Sequence, residues 1–269
     1  ASAGVPVHLL RGLSGRDPRV LLSLARLLAA GGYDIVHSYL RTPGTLARLA
    51  SPFSRGARTV VSERSVDLGD SPVRLAVERL LCRRADALIT NSAAFAKEIV
   101  GLVPGWSGRV HVVQNGIDLP PPTDAERRSA REFRERHASG ARCLLGVVAR
   151  IAHEKGPDLL AEALGRLPEQ VVGRLRVVWV GARVDTELAA SVESQLRSAG
   201  LSDRVIFAGE TRDTRSVYLG VDGVVLCSRR EGLPNVVLEA LGHGRPVIAT
   251  DVGDTSELVS GGATGWLVP

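Results

Sequence analysis

The chain has 269 residues, of which 44% are hydrophobic and 23% are charged, and its formal net charge is +5. This composition is typical of a globular protein, the length suffices for two domains of ordinary size, and no apolar run approaches the ~18 residues of a membrane-spanning helix. Aromatic residues make up only 4% and do not interleave with basic ones, which argues against nucleic-acid binding.

The first part of the chain alternates strand and helix patterns. Strands are predicted over residues 5–10, 35–38, 58–61, 87–90 and 109–113. Helices are predicted over residues 18–30, 44–50, 72–84 and 92–100, the last with Ser92 as its N-cap. This alternation indicates a Rossmann-like domain with a parallel sheet over residues 1–118.

A proline-rich and highly charged segment follows and is predicted to connect two domains over residues 119–140. Beyond it the alternation resumes, which predicts a second Rossmann-like domain over residues 141–269. Its predicted strands are residues 143–149, 176–181, 205–208, 223–226 and 246–250.

Arg150 and Lys155 lie between the strand at 143–149 and a helix that Pro157 opens. Loops after parallel strands are where such proteins place ligand chemistry. A guanidinium and an ammonium can together neutralise a diphosphate without a metal. Only Lys97 and Lys155 are lysines among 34 basic residues, which favours a geometric role for Lys155. The alternative is two solvated loop charges.

Glu231 and Glu239 stand eight positions apart in SRREGLPNVVLEAL, with a predicted helix over residues 235–241. Eight residues leave a net rotation of only ~80° around a helix, so both carboxylates can face one cleft. The backbone N–H groups of residues 232–235 form an anion site at the helix start. Carboxylates beside a phosphate site suit a nucleotide-sugar, although a helix-terminal charge and a solvated glutamate would give the same pattern.

These motifs resemble the retaining glycosyltransferases of family 4, whose signature is two glutamates separated by seven residues. The matching stretch EGLPNVVLEAL is followed by G-x-P-V-I-A-T-D-V-G, and the resemblance continues through Glu257, Gly265 and Trp266. It implies an α/β GT-B fold, in which two Rossmann-like domains face a central cleft. The first would be the acceptor side and the second the donor side. Relative to the family, we expect this chain to lack N-terminal βα units and C-terminal helices.

The resemblance also implies roles for individual residues in metal-independent transfer of a hexose-type sugar with retention. Glu239 would bind the ribose of a UDP- or GDP-sugar, Glu231 the transferred sugar, and Arg150 and Lys155 the leaving diphosphate. His37 would contact the acceptor or the sugar, although a plain strand-end histidine is an equal alternative. The remaining donor contacts would come from Gly209, Ser228, Gly232, Leu233, Pro234 and Asn235. No Asp-x-Asp pair is present, so no metal or cofactor is expected.

Charge differs between the halves, because residues 1–118 carry 15 basic and 9 acidic side chains, a net +6, and residues 119–269 carry a net −1. A basic acceptor side suits a glycan or lipid-linked acceptor, or peripheral contact with an acidic membrane. Scattered solvated arginines are the alternative. No signal peptide is recognisable, and the isolated Cys82, Cys143 and Cys227 are expected to be buried reduced thiols, so a cytoplasmic location is expected.

Two other functions remain open at this point. A nucleotide-sugar epimerase of the same fold would need no acceptor, and a nucleotide-sugar-binding protein would bind the donor without turnover. A dehydrogenase is disfavoured because no G-x-G-x-x-G follows a predicted strand.

Overall fold

The structure is a computed structural model that describes residues 5–10, 17–64 and 71–269. It comprises two compact units, Ala1–Gln114 and Asn115–Pro269. Each unit is built on one fully parallel sheet flanked by helices. Among the described residues, no helix combines the length and the apolar character needed to cross a membrane.

The first unit has a four-stranded sheet in the order β1-β2-β3-β4, in which each strand pairs with its sequence neighbour. Its core packs one face of the sheet against helices, with Trp106, Phe95 and Ile99 fully buried. Its elements are α1 (Pro18–Gly31), β1 (Ile35–Tyr39), α2 (Arg41–Ala50), β2 (Arg58–Glu63), α3 (Pro72–Leu81), β3 (Ala87–Thr90), α4 (Ala93–Leu102) and β4 (Val110–Val112).

The predicted strand over residues 5–10 is wrong, because these residues have no regular secondary structure and are exposed. An alternating apolar pattern supplies side chains for a sheet face but not the neighbouring strand that its backbone must bond. The other four strands of this half are confirmed. Helix α3 ends at Leu81, before the predicted end, and a short 3₁₀ turn covers Cys82–Arg84.

The second unit has a six-stranded sheet in the order β10-β9-β8-β5-β6-β7. Two apolar clusters cover its two faces, one around Trp179 and the other around Tyr218. Its elements are α5 (Asp124–Ala138), β5 (Cys143–Val148), α6 (Pro157–Gly165), α7 (Glu169–Val172), β6 (Leu175–Val180), α8 (Thr186–Ser198), β7 (Val205–Gly209), α9 (Thr214–Gly220), β8 (Gly223–Leu226), α10 (Asn235–Gly242), β9 (Val247–Thr250), α11 (Thr255–Leu258) and β10 (Gly265–Val268).

Most of the segment expected to connect the domains is the helix α5, which lies within the second unit. Thr123 and Glu126 form a reciprocal capping box that fixes its start. Its apolar side packs inward, since Ala130 and Ala138 are buried and the backbone of Ala130 approaches Gly220 of α9. Charged residues on the outer face therefore gave this helix the composition of a linker.

The three cysteines are free thiols. Cys82 and Cys227 are buried, as expected, whereas Cys143 is only partly buried. Burial raises the pKa of the Cys227 thiol to about 12, because a thiolate there would lose its solvation.

Candidate active site

The strand order of the second unit reverses between β5 and β8, since β6 and β7 continue on one side and β9 and β10 on the other. In parallel sheets, ligands bind outside the carboxyl ends of the strands at such a switch point. The loop after β5 carries Arg150 and Lys155, and the loop after β8 carries Ser228 and Glu231. The topology thus brings together side chains that are far apart in sequence.

Lys155, Ser228 and Glu231 form one hydrogen-bonded cluster at this point. Lys155 Nζ lies 2.6 Å from Glu231 Oε1, and Ser228 Oγ donates to the same oxygen at 2.6 Å. The Lys155 and Glu231 side chains are 21% and 13% exposed. None of the described residues donates a hydrogen bond to Glu231 Oε2. The carboxylate is therefore held by one oxygen, and the ammonium has further N–H donors to offer.

Arg229 fastens the Lys155 loop to this cluster. Its backbone N–H donates to the Glu154 carbonyl at 2.9 Å, and its Nη1 donates to the His153 carbonyl at 2.9 Å. Its guanidinium also forms a two-pronged pair with Asp158 of α6, at 2.8 and 2.5 Å. These hydrogen bonds hold the pKa of the Asp158 carboxyl below its usual value. Arg229 therefore fixes the loop that positions Lys155.

The segment after β9 supports Glu231 from the other side. Thr250 Oγ1 donates to the Ser228 carbonyl at 2.5 Å, and the Asp254 N–H donates to the Gly232 carbonyl at 2.9 Å. Gly253 has φ +59°, and a Cβ at this position would lie 2.3 Å from the Glu231 carbonyl oxygen. Glycine is required there on both counts, because the backbones approach closely and the conformation is left-handed.

Helix α10 begins directly after Glu231 and the turn 232–234. Pro234 is its N-cap, no side chain caps the first turn, and both Leu233 and Pro234 are buried. Pro234 has no N–H, so it adds nothing to the expected anion site, and its role is to fix the turn. Asn235 is exposed, and its Oδ1 accepts a hydrogen bond from Asn115 Nδ2 at 2.6 Å.

Glu239 lies on α10 within a second polar group. Tyr218 Oη of α9 donates to Glu239 Oε2 at 2.6 Å, and none of the described residues donates to Oε1. Tyr218 is only 1% exposed, and burial together with this hydrogen bond raises the pKa of its phenol far above the usual value. His243 stacks on the Tyr218 ring, and its Nδ1 donates to the Glu239 carbonyl at 2.7 Å.

The other predicted residues have separate surroundings. The Arg150 side chain is 59% exposed and pairs with Glu154 at 2.9 Å, so the structure does not group it with Lys155. Gly209 ends β7 with φ +76°, and its carbonyl accepts from the Gly181 N–H at 2.8 Å. Ser228 is 1% exposed and its hydroxyl donates a hydrogen bond to Glu231, and its expected part in binding the donor stays a prediction.

His37 belongs to the first unit. It is exposed at β1, its Nε2 lies 2.7 Å from Ser62 Oγ, and its ring contacts Tyr39. Its expected contact with acceptor or sugar stays a prediction.

Sequence reasoning missed Arg229, which holds the loop that carries Lys155, and Tyr218, which donates a hydrogen bond to Glu239. The basic pair after Ser228 and the short helix over residues 214–220 gave no local sign of either contact. Within the described residues, no group of three or more His, Cys, Asp or Glu side chains is arranged to hold a metal ion.

Family comparisons cover both halves. Residues 142–269 match the family described as Glycosyl transferases group 1, and residues 2–120 match Glycosyltransferase Family 4. A protein named D-inositol 3-phosphate glycosyltransferase from Nocardia farcinica is 34% identical over 93% of this chain and 58% of its own length. One of the same name from Mycobacterium sp. (strain KMS) is 32% identical over 88% of this chain and 56% of its own length. The chain thus spans little more than half the length of these relatives.

Solved structures show the same fold. Anabaena Alr3699/HepE in complex with UDP-glucose superposes with a TM-score of 0.82 at 23% identity, covering 98% of this chain and 71% of that protein. Sucrose-phosphate synthase from Thermosynechococcus elongatus gives a TM-score of 0.75 at 22% identity, covering 94% of this chain and 64% of that protein. With the motifs and family matches, these findings identify the chain as a member of the group 1, family 4 glycosyltransferases, with the two Rossmann-like units of the GT-B fold.

Proposed function

We propose that the protein transfers a hexose-type sugar from a nucleoside-diphosphate donor, a UDP- or GDP-sugar, to a glycan, lipid-linked or small-molecule acceptor with retention at the anomeric carbon. The observation that carries this proposal is the Lys155–Glu231–Ser228 cluster at the switch point of the second sheet. The names of the relatives and the UDP-glucose complex of a structural neighbour support it.

In this proposal, Lys155 and the start of α10 stabilise the leaving diphosphate. Lys155 supplies a compact positive charge, and the N–H groups of the first turn of α10 follow directly after Glu231 and point out of the helix start. Arg150 is exposed and adds a guanidinium charge. Such groups act on charge that develops in the transition state, and the chemistry asks for no metal ion.

Glu231 would accept hydrogen bonds from hydroxyls of the transferred sugar at Oε2, because Ser228 and Lys155 already donate to Oε1. Glu239 would accept hydrogen bonds from the ribose hydroxyls at Oε1, because Tyr218 already donates to Oε2. Each carboxylate then grips hydroxyl groups, so no covalent glycosyl-enzyme is part of the proposal. The backbone at Gly209 would approach the base.

The first test is calorimetric binding of UDP, GDP and ADP to the wild type and to Glu239→Ala. We expect one nucleotide to bind and the variant to lose most of that affinity. Absence of binding by all three nucleotides, or full affinity in Glu239→Ala, would contradict the proposed donor site.

Product analysis with the matching nucleotide-sugar then separates the three candidate activities. Transfer to an added acceptor with a retained anomeric configuration is the expected result. An epimer or free nucleotide formed without acceptor would indicate the epimerase, and binding without any product would indicate a protein that only binds the donor.

A second proposal concerns the basic first unit, which we infer contacts an acidic membrane surface through α3. Val73 and Leu80 are 72% and 76% exposed and share one helix face with exposed Val77. Exposed Arg79, Arg83 and Arg84 lie along the same segment. The acid of this helix, Glu78, is buried. An apolar stripe flanked by arginines suits anionic headgroups, whereas two copies of this face would bring arginines together.

Co-sedimentation with phosphatidylcholine vesicles, with and without phosphatidylglycerol, tests this surface. We expect binding only to the anionic vesicles, reduced on the order of tenfold by Leu80→Ser or by Arg83→Gln with Arg84→Gln. The matched control is Val184→Ser, at a 54% exposed apolar side chain of the second unit. Equal binding by all variants, or concentration-dependent dimers that Leu80→Ser dissociates, would overturn the membrane contact.

A further inference from the structure

Tyr218 is a buried tyrosine whose hydroxyl points at a carboxylate of the candidate site. It lies on α9 and is 1% exposed, and its Oη donates to Glu239 Oε2 at 2.6 Å. A tyrosine used only for packing would have no need of this partner, since phenylalanine fills the same space. The hydroxyl therefore serves Glu239.

The surroundings of Tyr218 keep this hydrogen bond in one geometry. Its ring stacks on the His243 ring at a centroid distance of 5.3 Å and an interplanar angle of 16°. His243 in turn donates from Nδ1 to the Glu239 carbonyl and from its backbone N–H to the same carbonyl at 3.0 Å. Tyr218, Glu239 and His243 thus form a closed group that joins α9 to the end of α10.

Burial and this bond also act on the charge state of Tyr218. The pKa of the Tyr218 phenol is raised by burial and by the adjacent carboxylate, so the phenol stays protonated and can only donate to a carboxylate oxygen. Glu239 is left with Oε1 directed away from this donor. Its own position on α10 leaves the side chain partly exposed.

We propose that Tyr218 is a positioning residue that turns Glu239 so that Oε1 receives the ribose hydroxyls of the nucleotide. This inference rests on the proposed function, because it assigns the ribose to Glu239. It adds a residue outside the glutamate motif to the donor site. It also predicts that losing one buried hydroxyl changes recognition of one part of the nucleotide only.

The test compares binding of UDP and of 2′,3′-dideoxy-UDP by calorimetry, or the GDP or ADP pair if the nucleotide panel selects that base. Tyr218→Phe keeps the ring and its stacking but removes the donor. We expect the variant to bind UDP about tenfold more weakly, the size expected for a hydrogen bond to a charged group, and to bind the dideoxy nucleotide with unchanged affinity.

Val217→Ala is the matched control, since Val217 is also 1% exposed on α9 and its side chain packs in an apolar cluster. It should lower the unfolding temperature without changing the ratio of the two affinities. A merely structural role for Tyr218 would give Tyr218→Phe the same behaviour as this control, and that result would overturn the inference.

Glu239→Ala separates failure of this inference from failure of the proposed function. If Glu239→Ala loses the preference for ribose while Tyr218→Phe keeps it, only the role of Tyr218 is wrong. If Glu239→Ala keeps the preference, or if the wild type binds neither nucleotide, the ribose assignment and the inference fall together.

Discussion

Each unit contains an ion-pair cluster around a glutamate. The two clusters differ in how many of the carboxylate's oxygens accept hydrogen bonds from the protein. In the first unit, Arg48 pairs with both oxygens of Glu78 at 2.7 and 2.8 Å, and Trp106 Nε1 adds a third bond at 2.8 Å. In the second unit, both bonds to Glu231 end on one oxygen. A closed cluster contributes to stability, whereas an open one can receive a ligand.

Burial follows the same division. The Arg48 and Glu78 side chains are 2% and 9% exposed, against 21% and 13% for Lys155 and Glu231. The guanidinium of Arg48 also donates to the Gly44 carbonyl and lies 6.0 Å from the Trp106 ring centre. The cost of removing these charges from water is thus offset on every side in the first cluster. In the second cluster, solvent and a bound substrate would solvate the charges that the protein leaves without a partner.

The largest expected effect is on stability in the first cluster. Arg48→Ala should lower the free energy of unfolding by about 3–5 kcal/mol, because it leaves the Glu78 charge buried and unpaired. Urea unfolding followed by tryptophan fluorescence measures it.

The pair variant Arg48→Met with Glu78→Gln should recover most of that loss. It removes both charges, while the carbonyl of the introduced amide can still accept a hydrogen bond from Trp106 Nε1. Equal destabilisation by the single and double variants would mean that packing of Arg48, and not charge, accounts for the effect.

The next effect is on turnover in the second cluster. Lys155→Ala should reduce the transfer rate about 10²–10³-fold, equivalent to about 2.7–4 kcal/mol, because a preorganised charge opposite the leaving diphosphate is lost. Its effect on unfolding should stay below about 1 kcal/mol, since the pair is partly exposed. Kinetics and urea unfolding on the same samples compare the two.

Lys97→Ala is the matched control, because Lys97 is the other lysine of the chain and lies on α4 of the first unit. It should leave both rate and stability unchanged. An unfolding loss for Lys155→Ala as large as that for Arg48→Ala would mean that the second cluster, too, is structural.

These clusters also show which features a sequence can predict. The loops holding Lys155 and Glu231 could be placed at strand ends because buried runs and glycine-rich turns are local signals. Their mutual contact depends on β5 lying beside β8, a strand order that no local pattern encodes. The bond from Tyr218 to Glu239 depends on how α9 packs beside α10, and the Arg48–Glu78 pair joins helices 30 positions apart in the same way.

Local sequence patterns also gave wrong predictions where the secondary structure or domain membership of a segment depends on what it packs or pairs with. Residues 5–10 alternate like a strand, yet they pair with no described strand. The charged surface of α5 reads as a linker, yet Ala130 and Ala138 bury its other side. In both cases the local sequence pattern was read correctly, but the structure adopted depends on what packs or pairs against the segment, and the local sequence does not show that.

The smallest expected effect comes from a third pair, which has the bidentate geometry of the first cluster but is more exposed than the second. Arg229 and Asp158 are joined by two parallel bonds, but their side chains are 29% and 35% exposed. If burial decides, Arg229→Ala should lower the free energy of unfolding by at most about 1 kcal/mol. It should nevertheless raise the KM for the donor, because the Lys155 loop loses its bond at the His153 carbonyl.

The pH dependence of this small difference identifies its source. Arg229 holds the pKa of Asp158 below that of the unfolded chain, which is about 3.9, so the folded state binds the proton less tightly. The stabilisation is therefore complete above about pH 4 and is lost as the pH falls through the lower folded pKa. Urea midpoints of wild type and Arg229→Ala should differ near neutral pH and converge below about pH 4. A difference that persists at the lowest pH would assign the effect to the backbone bonds of Arg229, and a loss as large as that of Arg48→Ala would show that two-pronged geometry outweighs burial in this protein.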